Sequence, residues 1–210
     1  APIAQLLIDR GKKAPDINNM REVYASLMNR LVNEGSYKLA VQLYPLLPGA
    51  NADSVRNVSG VEDGKIDEGY PPFIWNFSAS NAQGAEFVSV EGGTGLDIFG
   101  APGTVGSAAT KLVAPRRGDW FYWRVMDRGG NLDSSANWIA TCAIGKSAGS
   151  RIESINMLGA NVPNDRPLKM AMPGDCELVR LDMRVAGGIG RDPASLIVSG
   201  LELTQAATAK

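Results

Sequence analysis

The densest stretch of recognisable chemistry in this chain is Trp120-Phe121-Tyr122-Trp123, followed at once by Arg124. Flat aromatic faces stack on the apolar faces of sugar rings, while neighbouring guanidinium, amide or carboxylate groups bond the hydroxyls. Trp75 and Trp138 add two large rings in the same half of the chain. Side chains alternate along a strand, so a run of four aromatics must place two rings on each face of a sheet. One pair can fill a core, and the other is either covered by another element or presented to a ligand. Trp123, Arg124, Phe121, Trp75 and Trp138 are accordingly the candidate ligand-binding residues, with Trp123 and Arg124 the first to test.

Other chemistry is conspicuous by its absence. The chain has no histidine, which removes the commonest general base, the commonest metal ligand and the usual physiological-pH switch. Ser-His-Asp and Cys-His catalysis are excluded outright. A glycan hydrolase or lyase driven by two carboxylates stays a minor alternative, since no such pair stands out, and no catalytic residue is assigned. Glu62, Asp63 and Asp67 lie in an acidic turn that could ligate a structural calcium, but their spacing is not that of an EF-hand, and a solvated loop is the preferred reading. Gly145-Lys146-Ser147 echoes the end of a phosphate-binding loop, yet the earlier glycine would fall at Ala140 and no helical pattern follows. No metal or cofactor is otherwise expected.

Two cysteines, Cys142 and Cys176, are far apart in sequence and without Cys-x-x-Cys spacing. Paired, they would close a loop worth about 3 to 4 kcal/mol of unfolded-state freedom and would place the chain in an oxidising compartment. Two buried free thiols in a reducing compartment are the alternative.

The elements that position these residues change character near residue 50. Only three of the 24 glycines precede it. Met20, Val23, Tyr24, Leu27, Met28, Leu31 and Val32 recur at spacings of three and four, which predicts one amphipathic helix, with Asn19 and Glu22 as a capping box and Gly35 as its stop. A second helix is expected from Ser36, with Leu39, Ala40 and Leu43 on its apolar side, ending at Pro45. Residues 1–49 thus read as a helical hairpin, 50–71 as a linker wrapping the sandwich edge, and 72–206 as an antiparallel β-sandwich. Ten strands are expected, near 73–78, 85–90, 95–99, 109–114, 119–126, 137–144, 151–156, 167–172, 177–185 and 195–204. Val179, Leu181, Met183 and Val185 alternate with Arg180, Asp182 and Arg184, giving that strand one apolar and one wet face. Gly200 is the expected kink of the last strand.

With 210 residues, 44% hydrophobic, 20% charged and a net charge of minus one, the composition is that of an ordinary folded protein. The cations are scattered, so neither nucleic acid nor an anionic membrane surface is an expected partner, and no apolar run is long enough to insert in a membrane.

The segment Leu31 to Tyr44 resembles the turn and second helix of a tetratricopeptide repeat. Together with Pro72-Phe73-Ile74-Trp75-Asn76, Gly95-Leu96-Asp97-Ile98-Phe99-Gly100, Gly118-Asp119-Trp120, Trp138 to Cys142, Pro173-Gly174-Asp175-Cys176 and Val198-Ser199-Gly200-Leu201, it makes the chain similar to bacterial envelope proteins with a tetratricopeptide-like helical part and a C-terminal jelly-roll domain of the carbohydrate-binding-module, galactose-binding-like type. Ile74 stands where that family tends to have Asp, and Trp123 where a small residue is common. The resemblance implies a mainly β, jelly-roll fold behind a short helical hairpin, a structural Cys142–Cys176 disulfide, and a periplasmic or extracellular location. The jelly-roll pattern with its surplus of aromatics makes non-catalytic binding of a polysaccharide, such as an exopolysaccharide, the expected function. The alternative is an interaction adaptor whose hairpin meets other envelope proteins in an export or assembly complex.

Overall fold

The computed structural model describes Gln5, Ile8, Asp9, Ala14, Pro15 and residues 20–62, 65–66, 68–78, 80–129, 135–144, 147–156, 167–172, 176–188 and 193–205. Helix α1, Met20–Asn33, buries Tyr24, Met28 and Leu31, one residue per turn along a single line. The expected stripe was wider: Val23 lies off the buried line and is 52% exposed. Gly35 takes the left-handed conformation (φ 76°) that stops the helix, as its position predicts. Helix α2, Tyr37–Leu43, buries Tyr37, Ala40 and Leu43. Ser36 starts it through its carbonyl, which accepts the Ala40 N–H at 3.0 Å, and its hydroxyl makes no capping bond. Pro45 turns the chain into a short 3-10 helix, Tyr44–Leu46. Asn19, of the expected capping box, lies outside the described residues.

The following segment is more structured than a plain linker. It holds a 3-10 turn at Ala52–Val55 and a two-rung ladder of β1 (Val61–Glu62) with β2 (Lys65–Ile66). Tyr70 then lies edge-on to Tyr24 at 6.0 Å, and Phe73 edge-on to Tyr44 at 5.0 Å. The Tyr70 hydroxyl donates to the Pro48 carbonyl at 2.6 Å, so hairpin and connecting segment share one aromatic layer.

Ten further strands follow: β3 (Asn76–Phe77), β4 (Gln83–Val90), β5 (Gly93–Gly100), β6 (Val105–Val113), β7 (Asp119–Gly129), β8 (Ser135–Ile144), β9 (Ser147–Asn156), β10 (Leu168–Ala171), β11 (Val179–Ala186) and β12 (Ala194–Gln205). Each falls on an expected strand. The first is cut to two residues because Phe73 is held in a turn, its N–H on the Tyr70 carbonyl. Two five-stranded antiparallel sheets result, ordered β10-β7-β12-β5-β4 and β3-β6-β11-β8-β9. From β5 to β8 the chain changes sheet at every connection, and β12 returns to lie between β5 and β7, so the architecture is a jelly roll. Gly200 (φ 59°) sits where the pairing of β12 with β7 shifts register, which is the expected kink.

The hairpin packs on the outer face of the second sheet. Tyr24, Met28, Leu31, Leu43 and Phe73 share one apolar cluster with Leu112 of β6 and Leu178 just before β11. Two main-chain bonds seat the connecting segment on β6 and its end: Leu112 N–H to the Pro72 carbonyl at 2.8 Å and Ala114 N–H to the Val55 carbonyl at 2.9 Å. Below them, Arg56 donates to Asp119 at 2.9 Å and to the Ala114 carbonyl at 3.1 Å, while Asp119 also accepts the Arg116 N–H at 2.7 Å.

Candidate functional site

Alternation along β7 decides the fate of its aromatic run. Phe121, Trp123 and Val125 point into the sandwich and are fully buried. There Phe121 stacks on Trp123 at 5.2 Å and meets Trp138 edge-on at 5.0 Å, and Trp75 lies 5.6 Å from Trp138. The Trp75 indole N–H donates to the Val58 carbonyl at 3.0 Å. Four of the five residues expected to meet a ligand, Phe121, Trp123, Trp75 and Trp138, are therefore the aromatic centre of the core, where a sugar has no access. The correction has a simple cause: two packed inner faces need large rings to fill the space between them.

Arg124 keeps its exposed place, and the rings beside it on the outer face are Trp120 and Tyr122, both half-buried. The pairing register builds the surface around them. Tyr122 stands between Lys169 of β10 and Glu202 of β12, Trp120 between Ala171 and Thr204, and Arg124 opposite Ser199. Lys169, Glu202 and Thr204 are exposed, and the Lys169 ammonium lies 4.7 Å from the Trp120 ring centroid. No β7 residue belongs to the hairpin's apolar cluster, so the outer pair of rings is not the surface the hairpin covers. Two rings two residues apart on one face, bordered by an ammonium, a guanidinium, a carboxylate and hydroxyls, make an aromatic platform whose groups are of the kinds that stack on sugar rings and bond their hydroxyls.

The second sheet carries a different feature. A cleft of about 710 Å³ runs between the hairpin and the outer face of β6, β11 and β8. Asn29 and Asn33 of α1 line one side, Ser107, Thr110 and Thr141 the sheet, and Arg180, Asp182 and Arg184 its floor. Asp182 accepts the Ser107 hydroxyl at 2.6 Å and lies 4.0 Å from Arg180.

Cys142 and Cys176 form the disulfide, with Cα atoms 5.5 Å apart. Of the acidic turn, Asp63 and Asp67 lie outside the described residues, and Glu62 pairs its backbone with Lys65 across the small ladder. Among the described residues no group of three Cys, Asp or Glu is placed to hold a metal ion. None of the helices described is long and apolar enough to cross a membrane.

Sequence reasoning missed Trp120, Tyr122, Lys169 and Glu202. The first two were legible, because Arg124 shares their parity on the strand and Val125 shares that of Phe121 and Trp123. Lys169 and Glu202 come from strands that only the register brings alongside. Arg180 and Arg184 were read as the wet face of their strand, and nothing in the sequence says that the hairpin walls that face.

By strand order this molecule is a jelly-roll β-sandwich bearing a helical hairpin on one sheet. Solved structures to which it is similar include a family 28 carbohydrate-binding module specific for non-crystalline cellulose (8% identity, 63% of this chain and 88% of that one, TM-score 0.42). A family 61 module in complex with β-1,4-galactotriose matches at 11% identity, with the same coverage and a TM-score of 0.40. A third is the structure of accessory secretory protein 1, 2 and 3 of Streptococcus pneumoniae, at 10% identity over 63% of this chain and 96% of that chain, TM-score 0.37. No family model matches the sequence, and no curated protein does.

Proposed function

We propose that the protein is a non-catalytic carbohydrate-binding module of an exported bacterial envelope protein, and that it takes its polysaccharide on the outer face of the β10-β7-β12-β5-β4 sheet. The observation that carries this reading is the half-buried Trp120 and Tyr122 pair on that outer face, with Arg124, Lys169 and Glu202 around it. Two aromatic rings two positions apart on one sheet face offer a sugar more stacking surface than a single ring, with the exposed Lys169 side chain over Trp120 at their border. The disulfide suits an oxidising compartment, in keeping with export. The adaptor reading is weaker, because the apolar stripe of the hairpin is already spent on Leu112 and Leu178.

Isothermal titration with a panel of neutral and acidic polysaccharides tests the proposal. Binding to at least one glycan is expected, and Trp120→Ala and Tyr122→Ala should each weaken it by roughly tenfold, the equivalent of about 1.4 kcal/mol for a lost stacking partner. Failure to bind any glycan, or binding indifferent to both substitutions, would remove the reading.

A further inference from the structure

We infer that the cleft between the hairpin and the second sheet is a separate subsite for a carboxylate-bearing sugar residue, so that the glycan bound by this molecule is an acidic one. This rests on the carbohydrate-binding reading above and adds the ligand's charge and a second place of contact. At about 710 Å³ the cleft has the size of a small-molecule site. Its outward-facing cations, Arg180 and Arg184, outnumber its one carboxylate, Asp182; Lys111, 1% exposed and opposite Leu181 in register, belongs to the inner face. Asp182 is also committed, holding the Ser107 hydroxyl at 2.6 Å and standing no closer than 4.0 Å to Arg180.

Arg180 and Arg184 are both exposed on one face of β11, two positions either side of Asp182. Arg184 has no ion partner among the described residues. A guanidinium presents a planar fork of N–H donors that matches a carboxylate, and such charge-assisted pairs are roughly twice as strong as neutral hydrogen bonds. The remaining lining is mixed: Thr110 and Thr141 on the sheet and Asn29 and Asn33 on the exposed side of α1 supply hydroxyls and amides, beside apolar Val32, Pro71, Pro72 and Leu112. The hydroxyls and amides both donate and accept, which suits a ring studded with hydroxyls. An acidic peptide is the rival ligand for the same two guanidinium groups, and polyglutamate stands for it in the test below.

The test is titration of the full chain with a linear oligogalacturonide, with its methyl ester and with polyglutamate, repeated on Arg180→Gln and Arg184→Gln. The wild type should prefer the free acid over the ester by about tenfold or more, as expected for a lost charge-assisted pair. Raising the salt concentration should shrink that preference, and in the double variant the ratio should fall to near one. An ester bound as well as the acid overturns this inference while leaving the Trp120 platform standing. Polyglutamate bound as tightly as the uronate also overturns it, since the cleft would then read charge alone. If neither the acid nor the ester nor any other glycan binds, both readings fall together.

Discussion

Trp120 and Trp123 sit three positions apart on β7, and the consequences of removing them differ in kind. Trp123 is fully buried against Phe121 and Trp138, so Trp123→Ala should lower the unfolding free energy by about 3 to 5 kcal/mol, from lost burial and the cavity left behind. Trp120→Ala should cost about 1 kcal/mol or less and show its effect in glycan titration instead; urea denaturation of the two variants makes the comparison. Asp119 is a second position where one side chain holds much. It is 1% exposed and receives both the Arg56 guanidinium and the Arg116 N–H, so Asp119→Ala should destabilise by about 3 kcal/mol, again read by urea denaturation, because Arg56 would lose its counter-charge. At this scale the sequence was only half legible. It shows that four consecutive aromatics must divide between two faces. Which pair faces out depends on the parity of Arg124 and Val125, and the platform's remaining groups arrive from strands some 50 and 80 positions away in register.

Elements were more legible than residues. Period-2 alternation in Val179 to Val185 and the Gly, Pro and Asn clusters between strands are local signals, and all ten expected strands exist. Their order in the sheets was not readable, because antiparallel pairing is decided by contacts far apart in sequence. The short ladder of β1 with β2 was missed because two-residue strands carry no period. The disulfide ties the end of β8 to the residues leading into β11, across a separation of 34 residues. Since β8 and β11 are already neighbours in the sheet, the bridge acts on the unfolded chain more than on the folded one. Reduction, or Cys142→Ser with Cys176→Ser, should therefore cost about 3 to 4 kcal/mol, visible as a lower thermal midpoint in the presence of reductant with little change in the circular dichroism of the fold.

For the whole molecule, the hairpin behaves as part of the sandwich's own packing. Removing residues 1–49 would strip Leu112, Leu178, Tyr70 and Phe73 of their cover, leaving a contiguous apolar patch on the outer face of the second sheet. The shortened chain should self-associate, which light scattering would report, and a soluble, monomeric shortened chain would show that this cover is dispensable. The position of β12 has a further consequence, for time rather than for stability. This strand is the last of the described strands in chain order, yet it is inserted between β5 and β7 and supplies Leu196, Val198 and Leu201 to the core. Until it arrives, the facing edges of β5 and β7 stay open and the interior stays wet, however early the preceding strands begin to associate. Folding of this topology must therefore close on a late, long-range event, on the slow side of the range for small domains. During that interval the open edges are exposed to wrong partners.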